Sequence, residues 1–116
     1  LMSDGELQCG TTWESALIAA HHKLDNLIVI VDNNKFQAMG KTNKILSATS
    51  WPFWSRVIDG HSYKEIEEVL NDKNTNVIIA NTIKGKGWKR AENNNTYHYK
   101  APSKEEYEEA LKELNG

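Results

Sequence analysis

A run of five apolar residues, Leu27 to Val31, restricts the fold of this chain more than any other feature. The run is too short for a helix, and four of its five residues are β-branched. It is apolar at every position rather than at alternate ones, which is typical of a strand buried on both faces in the middle of a parallel sheet. The run then gives way to Asp32-Asn33-Asn34, so the predicted strand ends in polar side chains.

Further strands and helices alternate along the chain. We predict two more strands, at Arg56 to Ile58 and Asn76 to Thr82. We predict helices from about Thr12 to Lys23, after Ser62, and after Ser103. Strands that alternate with helices predict an α/β fold, in which a parallel sheet is flanked by helices and joined by right-handed crossovers.

Each predicted helix has its own start signal and apolar stripe. A Ser or Thr is followed three residues later by Glu, the spacing of a capping box, at Thr11 with Glu14, Ser62 with Glu65, and Ser103 with Glu106. Helical spacing predicts that the first helix packs on the sheet through Trp13, Ala16, Leu17 and Ala20. The same spacing predicts that the last helix buries Tyr107, Ala110, Leu111 and Leu114.

Two stretches lack a regular pattern, and we predict that both are mostly loop. The first runs from Lys35 to Ser55 and contains Trp51 and Trp54, which we expect to cover a sheet edge or fill an interface. The second runs from Lys84 to Ala101 and is rich in Gly and Asn.

Composition limits the class of protein. A chain of 116 residues with 39% hydrophobic residues and a net charge of −2 is long enough for one domain with a core. The longest apolar runs are far shorter than the roughly 20 residues that a membrane helix needs, so we expect no membrane-spanning segment. The single cysteine, Cys9, has no internal disulfide partner, and we therefore expect a reducing compartment, the cytoplasm.

Polar residues follow two of the predicted strands and also the first residues of the chain, which we predict to be the end of an extended segment, and ligands bind at such strand ends in parallel sheets. These segments are Ser3 to Glu6, Asp32 to Asn34, and Lys84 to Gly87. Asp4 and Asn34 carry hard oxygen ligands suited to Mg²⁺ or Ca²⁺, and Gly5 lets a backbone amide approach an anion closely. Asp and Asn also end strands and form turns, so the spacing alone leaves both interpretations open.

The same residues carry a resemblance to a known family. Ser3-Asp4-Gly5-Glu6, followed at the right interval by Asn33-Asn34, resembles the Gly-Asp-Gly…Asn-Asn signature of thiamine diphosphate enzymes. Further matches in order are Asp59-Gly60-His61, Lys84-Gly85-Lys86-Gly87 and His98-x-Lys100-Ala101-Pro102. Together they resemble the diphosphate-binding domain of transketolases, especially small-subunit bacterial forms. The resemblance implies that residues 1–116 are part of a single such domain whose upstream portion is absent.

The resemblance also implies roles for individual residues. The side chains of Asp4 and Asn34 and the backbone carbonyl of Phe36 would bind Mg²⁺ (or Ca²⁺). The amide of Gly5 would bind the diphosphate of the cofactor, thiamine diphosphate. His98 and Lys84 would lie beside the cofactor and the substrate, and both are the expected catalytic residues.

The activity that the resemblance implies is transfer of a two-carbon ketol unit between sugar phosphates. It requires a pyrimidine-binding domain or subunit, and the expected assembly is a homodimer or a heterotetramer. A deoxyxylulose-phosphate synthase or a dehydrogenase E1 component is the nearest alternative, because both share the metal motif.

Departures from the family pattern keep other classes of protein in view. Cys9 replaces a glutamate that usually reaches across the dimer interface, and Tyr99 replaces the glycine after the histidine, which suggests a domain retained only for assembly. A single-strand nucleic-acid binder is a further alternative. Residues 84–100 carry five basic residues against one acid, with aromatic residues between them. We expect no nucleic acid partner, because this alternative leaves Asp4 and Asn34 unexplained.

Overall fold

The computed structural model describes residues 1–46 and 55–116. Its strands are β1 (Met2–Ser3), β2 (Val29–Asn33), β3 (Phe36–Gln37), β4 (Gly40–Lys41), β5 (Ser55–Asp59) and β6 (Val77–Asn81). Its helices are α1 (Gly10–His21), α2 (Thr42–Ile45), α3 (Tyr63–Leu70) and α4 (Lys104–Asn115), with 3₁₀ turns at Asp4–Gln8 and Asn95–His98. No helix in these two ranges is both long and apolar enough to cross a bilayer.

Four strands form one parallel sheet in the order β1-β2-β6-β5, which confirms the predicted α/β fold. The short strands β3 and β4 form a separate antiparallel hairpin. The hairpin and α2 correct the prediction that Lys35 to Ser55 is mostly loop over residues 35–46, and residues 47–54 of that stretch lie outside the described residues. The predicted roles of Trp51 and Trp54 concern positions outside the described residues.

Strand β2 begins and ends two residues later than the apolar run predicts. Val29 to Asn33 pair residue by residue with Val77 to Asn81 of β6. Leu27 and Ile28 lie before the sheet and are 42% and 41% exposed. The side-chain amide of Asn76 donates to the carbonyl of Leu27, which holds the chain just ahead of the strand (3.0 Å). Pairing with β6, rather than hydrophobicity alone, therefore sets the strand bounds.

The buried core lies where α3 packs against β5 and β6. Its members are Ile58, Val69, Ile78 and Ala80, with Ile30 and Ile66 packed against them. Helix α3 starts as predicted, because the Ser62 hydroxyl accepts a hydrogen bond from the amide of Glu65 (3.3 Å). The carboxylate of Glu65 bonds the amide of Asp59 instead of completing the box (2.9 Å).

Helix α1 differs from its prediction at its start and on its apolar face. Cys9 is the N-cap residue, and the predicted capping box of Thr11 with Glu14 does not form. A 3₁₀ turn occupies the preceding residues, and the Thr12 hydroxyl bonds the carbonyl of Glu6 in that turn (2.7 Å). Leu17 is 66% exposed, so only part of the predicted stripe packs on the protein.

Helix α4 forms as predicted, with a full capping box between Ser103 and Glu106, but its apolar stripe is not buried. Leu114 is 63% exposed and Tyr107 is 53% exposed. The carboxylates on another side of the helix make the contacts instead. Arg90 pairs with Glu109, one turn along from Glu106 (2.7 Å).

Glu106 is the centre of this polar interface. Its carboxylate accepts from the Lys100 ammonium at 2.8 Å, from the Tyr97 hydroxyl at 3.0 Å and from the Ser103 amide at 2.8 Å. These bonds, led by that of Lys100, lower the pKa of Glu106 from 4.5 to about 2. Charge pairing with the preceding loop therefore decides which side of α4 faces the protein.

We expect Glu106→Gln to lower the thermal unfolding midpoint of the complete protein at neutral pH, because the charged form is held by three donors. Because the pKa of Glu106 is lowered in the folded protein, its contribution to stability is complete above about pH 4.5. That contribution is lost as the pH falls toward about 2. The midpoint difference between wild type and variant should therefore shrink across this range. Glu108→Gln, on the exposed side of the same helix, is the control. A difference that stays constant through the range contradicts the assignment.

Gly85 lies in the loop after β6, and its backbone requires glycine. Its φ is +73°, and a Cβ atom there would lie 2.5 Å from the carbonyl oxygen of Ala91. We expect Gly85→Ala to reduce the free energy of unfolding by more than about 1 kcal/mol. Gly10→Ala is the matched control, because a Cβ there meets open space at the start of α1. Equal stability of the two variants in denaturant titration would refute the role given to Gly85.

Candidate functional site

The carboxyl ends of three neighbouring parallel strands meet at one edge of the sheet. Ser3 of β1 is paired with Asp32 of β2, and Asn33 of β2 is paired with Asn81 of β6. The residues that follow these strands, beginning with Asp4 and Thr82, therefore lie side by side. This confirms the predicted juxtaposition of the first two polar segments.

Asp4 is the one buried charged residue in the part of the chain that the structure describes, at 3% exposure. Its Oδ2 atom accepts a hydrogen bond from the amide of Lys35 (2.8 Å). Its Oδ1 atom is buried without a hydrogen-bond partner among the described residues. Burial raises the pKa of Asp4 against the lowering effects of the Lys35 amide, the Thr42 hydroxyl and the Gly5 amide, and the charge of Asp32 raises it further. The site thus contains a carboxylate oxygen in need of a positive partner.

The turn after β2 positions the amide of Lys35, which donates a hydrogen bond to Asp4. Lys35 adopts a left-handed backbone with φ +70°, which is uncommon for a residue other than glycine. Such conformations persist where the surrounding structure fixes them, and they are found at functional sites. The ammonium of Lys35 contacts the carboxamide oxygen of Asn81 at the end of β6 (3.3 Å). Both ends of Lys35 therefore join the turn to the neighbouring strands.

Asn34 is held at both ends of its side chain. Its Nδ2 atom donates to Oδ2 of Asp32 (3.0 Å), and its Oδ1 atom accepts from the amide of Phe36 (2.9 Å). The other oxygen of Asp32 accepts a hydrogen bond from the hydroxyl of Thr82, just after β6. An amide oxygen has two lone pairs, so Asn34 keeps one acceptor position beside its bond to Phe36.

The β3–β4 hairpin packs against the turn that carries Asp4. A Cβ atom at Gly5 would lie 3.1 Å from the Cβ atom of Gln37 in β3, so the two backbones approach closely. Phe36, the predicted carbonyl ligand, is the first residue of the same strand. The predicted residues Asp4, Gly5, Asn34 and Phe36 are therefore brought together in one cluster.

An open cleft of about 900 Å³ lies beside this cluster. Asp4, Lys35, Phe36, Lys41 and Thr42 line it. Oxygen ligands near a buried carboxylate suit a divalent cation, and the two lysines provide positive charge for an anionic group. The chemistry of this donor set fits a metal ion bound together with a diphosphate.

Lys84 and His98 form a second pair. The ammonium of Lys84 lies 3.4 Å from Nδ1 of His98. In a hydrogen bond between these atoms the ammonium is the donor and Nδ1 the acceptor, which leaves Nε2 as the ring atom that can donate. The ring of Tyr99 packs edge-on against the ring of His98, with centroids 4.7 Å apart. With Nδ1 in contact with Lys84, Nε2 is the ring nitrogen of His98 that can donate a hydrogen bond to a ligand.

No hydrogen bond joins the Lys84–His98 pair directly to the Asp4 cluster within residues 1–46 and 55–116. The link is indirect, through the 3₁₀ turn that ends at His98. The side-chain amide of Asn95 in this turn donates to the carbonyl of Ala38 in the hairpin (3.1 Å). The hairpin therefore provides a link between the two groups in place of a direct hydrogen bond.

His61 supports the loop that carries Lys84. Its Nε2 atom accepts a hydrogen bond from the amide of Ile83, the residue before Lys84 (2.8 Å). Its own amide donates to Oδ1 of Asp59 (2.9 Å). The matched Asp-Gly-His segment therefore has a structural role in this chain, since it fixes where the strand β6 passes into the loop.

Sequence reasoning did not select Asp32, Lys35 or Thr82 as site residues. Asp32 was visible as the residue that precedes the Asn-Asn pair. The backbone contribution of Lys35 and the contact of Thr82 depend on the left-handed turn and on the register of β2 with β6. Neither feature has a signal in a single sequence.

Two of the five basic side chains in residues 84–100 are paired with carboxylates inside the chain, which weakens the case for a nucleic acid surface. Arg90 and Lys100 both pair with carboxylates of α4. Trp88 and Tyr97 pack against each other, with ring centroids 4.7 Å apart, and both are partly buried. Stacking platforms for bases require exposed aromatic faces beside free positive charge.

The chain is similar to transketolases over nearly its whole length. It is 39% identical to one subunit of the apulose-4-phosphate transketolase of Actinobacillus succinogenes, across 98% of this chain and 45% of that protein. Transketolase of Homo sapiens is 31% identical, across 98% of this chain and 20% of that protein. The crystal structure of transketolase from Campylobacter jejuni superposes with a TM-score of 0.81 at 29% identity, covering 98% of this chain and 20% of that one.

The chain spans about half the length, or less, of the curated relatives it matches. The family model described as transketolase, thiamine diphosphate binding domain, matches residues 1–116. The superposition on the solved transketolase covers nearly the whole chain, so the two share their fold over this length. The chain therefore belongs to the transketolase family, and residues 1–116 match its thiamine diphosphate binding domain.

Proposed function

We propose that the protein carrying this chain transfers a two-carbon ketol unit from a ketose phosphate to an aldose phosphate, with thiamine diphosphate and Mg²⁺ as cofactors. The observation that supports this is the buried Asp4 carboxylate, whose Oδ1 atom forms no hydrogen bond among the described residues. Burial of an unpaired carboxylate is unfavourable unless it takes up a proton or a cation accompanies it, and a cation keeps it ionised. Family membership identifies the anion that this cation would bring with it.

In this proposal Asp4, Asn34 and the carbonyl of Phe36 hold Mg²⁺, or Ca²⁺ in its place. Asp4 supplies the negative charge, and Asn34 supplies a neutral oxygen that is already fixed by its contacts with the turn. All three are hard oxygen donors, as these cations require. The left-handed turn at Lys35 keeps the three donors together.

The amide of Gly5 and the ammonium of Lys84 bind the diphosphate. Gly5 is suited to this because its backbone has no side chain between it and an approaching anion. When bound, thiamine diphosphate supplies the carbon nucleophile that ketol transfer needs. His98 donates a hydrogen bond from Nε2 to a diphosphate or substrate oxygen, while Lys84 holds Nδ1.

The proposed assembly includes a pyrimidine-binding domain, either in the same chain or in a second one, and forms a homodimer or a heterotetramer. The relative from Actinobacillus succinogenes is named as one subunit of its transketolase, which supports an enzyme divided between two chains. The same name includes a sugar phosphate, which supports sugar-phosphate substrates. The cytoplasm stays the expected location, because the one cysteine in the sequence is exposed and free.

Transketolase chemistry is favoured over a deoxyxylulose-phosphate synthase or a dehydrogenase E1 component. The relatives described above are transketolases or transketolase subunits. An assembly-only domain predicts no function for Asp4 or His98, and the two experiments below separate that alternative from catalysis.

We expect Asp4→Asn to weaken Mg²⁺-dependent binding of thiamine diphosphate by more than about tenfold, because the charged ligand is lost. The variant keeps an oxygen for the amide of Lys35, so the metal-free protein should be as stable as wild type or more stable. Calorimetric titration of the complete protein with thiamine diphosphate and Mg²⁺, together with thermal unfolding, measures both effects. Asp25→Asn, near the amino-terminal ends of the strands, is the control. Unchanged cofactor affinity in Asp4→Asn would refute the metal assignment.

We expect His98→Ala to reduce turnover of the assembled enzyme by at least an order of magnitude, since loss of a positioned proton donor typically costs about 10² to 10⁴ in rate. His98 is exposed and lies in a 3₁₀ turn, so the unfolding midpoint should change little. Steady-state kinetics with a ketose phosphate and an aldose phosphate checks this. His21→Ala, at the exposed end of α1, is the control and should leave turnover unchanged. Normal turnover in His98→Ala would remove His98 from the catalytic residues.

A further inference from the structure

We propose that Asp32 is a positioning residue that determines which end of the Asn34 carboxamide faces the metal ion. The inference rests on the proposed function, in which the oxygen of Asn34 is a metal ligand. Asp32 itself does not bind the metal in this proposal. Its role is to hold the Nδ2 atom of Asn34 away from the cation.

A carboxamide can turn its oxygen or its nitrogen toward a ligand with almost no change of shape. Only the oxygen is a ligand for Mg²⁺, because the NH₂ group of a neutral amide is a donor. An asparagine that is free to flip would therefore present the wrong group part of the time. An unrestrained side chain also adopts rotamers that turn neither end toward the cation, and the affinity is reduced to the fraction of time spent in the one binding conformation.

Two contacts in the structure require the same orientation of Asn34. The carboxylate of Asp32 can only accept, so it requires the Nδ2 atom, which lies 3.0 Å away. The amide of Phe36 can only donate, so it requires the Oδ1 atom, which lies 2.9 Å away. Exchanging the two ends of the carboxamide would place donor against donor and acceptor against acceptor.

Asp32 is itself fixed by the sheet. Its second oxygen accepts the hydroxyl hydrogen of Thr82, one residue beyond the end of β6. Its backbone is paired with Ala80 of β6 on one side and with Ser3 of β1 on the other. The orientation of Asn34 is therefore tied to the register of three strands through one side chain.

A rival explanation is that Asp32 acts by charge alone, since a second carboxylate near Asp4 attracts a cation. The two explanations differ for Asp32→Asn. The oxygen of that asparagine can still accept from Asn34, and its NH₂ group can donate to the hydroxyl of Thr82, which then acts as the acceptor. The variant therefore keeps the orientation of Asn34 and loses the charge, whereas Asp32→Ala loses both.

The test is the affinity of the complete protein for Mn²⁺, measured by electron paramagnetic resonance titration with thiamine diphosphate present. Loss of an outer-shell partner typically weakens metal affinity by about 10- to 100-fold. We expect a loss of this size in Asp32→Ala and a loss of less than about threefold in Asp32→Asn. Asp72→Ala is the matched control, because Asp72 also accepts from a threonine hydroxyl, that of Thr75, but in the turn before β6 (2.9 Å).

Thr82→Val keeps the test decisive if Asp32→Ala does not fold. This variant retains the charge of Asp32 but frees its carboxylate, so positioning predicts weaker Mn²⁺ binding than in Asp32→Asn. Charge alone predicts the reverse order. Equal losses in Asp32→Asn and Asp32→Ala, or no loss in Asp32→Ala, would overturn the proposal. Failure of the metal site itself is recognised separately, because Asp4→Asn would then bind Mn²⁺ like wild type.

Discussion

The parallel pairing of β2 with β6 is the interaction on which the rest of the structure depends. It aligns Val29 to Asn33 with Val77 to Asn81 and places both strands within reach of α3 and its core. It also ends both strands at the same edge, so that Asp32 and Thr82 meet. A shift of one residue would move every side chain of β2 to the opposite face. The core and the site are therefore fixed by one register.

The order and type of the main elements follow from the sequence, because apolar runs and capping signals are local. Ser62 and Ser103 begin helices where predicted, and the apolar run leads into a central strand in which Val31 is fully buried. The errors come from tertiary contacts. Thr11 does not cap the first helix, because residues 4–8 form a 3₁₀ turn that the sequence pattern does not predict and α1 begins just after it. The exposed Leu114 shows that ion pairs with the loop, and not the apolar stripe, orient α4.

The site was predictable only in part, and for a physical reason. Asp4 and Asn34 both carry oxygen ligands suited to a hard cation. The interval between them fits two parallel strands joined by one helix, which end side by side, so the pair indicates a cation site. The sequence does not reveal that Lys35 adopts a left-handed turn, since lysine has no preference for it. That turn is what directs an amide at one oxygen of Asp4 and leaves the other oxygen without a partner.

The distribution of hydrogen bonds explains why the unsatisfied group is Asp4 rather than Asp32. Asp32 has a donor for each oxygen, from Asn34 and Thr82, so its charge is stabilised by the fold itself. Asp4 is more deeply buried and forms a hydrogen bond through only one oxygen, and burial, helped by the neighbouring charge of Asp32, raises its pKa. Ionised Asp4 therefore gains more than Asp32 from a positive charge placed beside its Oδ1 atom. A site in which Asp32, Asn34 and Thr82 bond one another while Oδ1 of Asp4 is buried without a partner directs a cation to that atom and couples its binding to the stability of the strand ends.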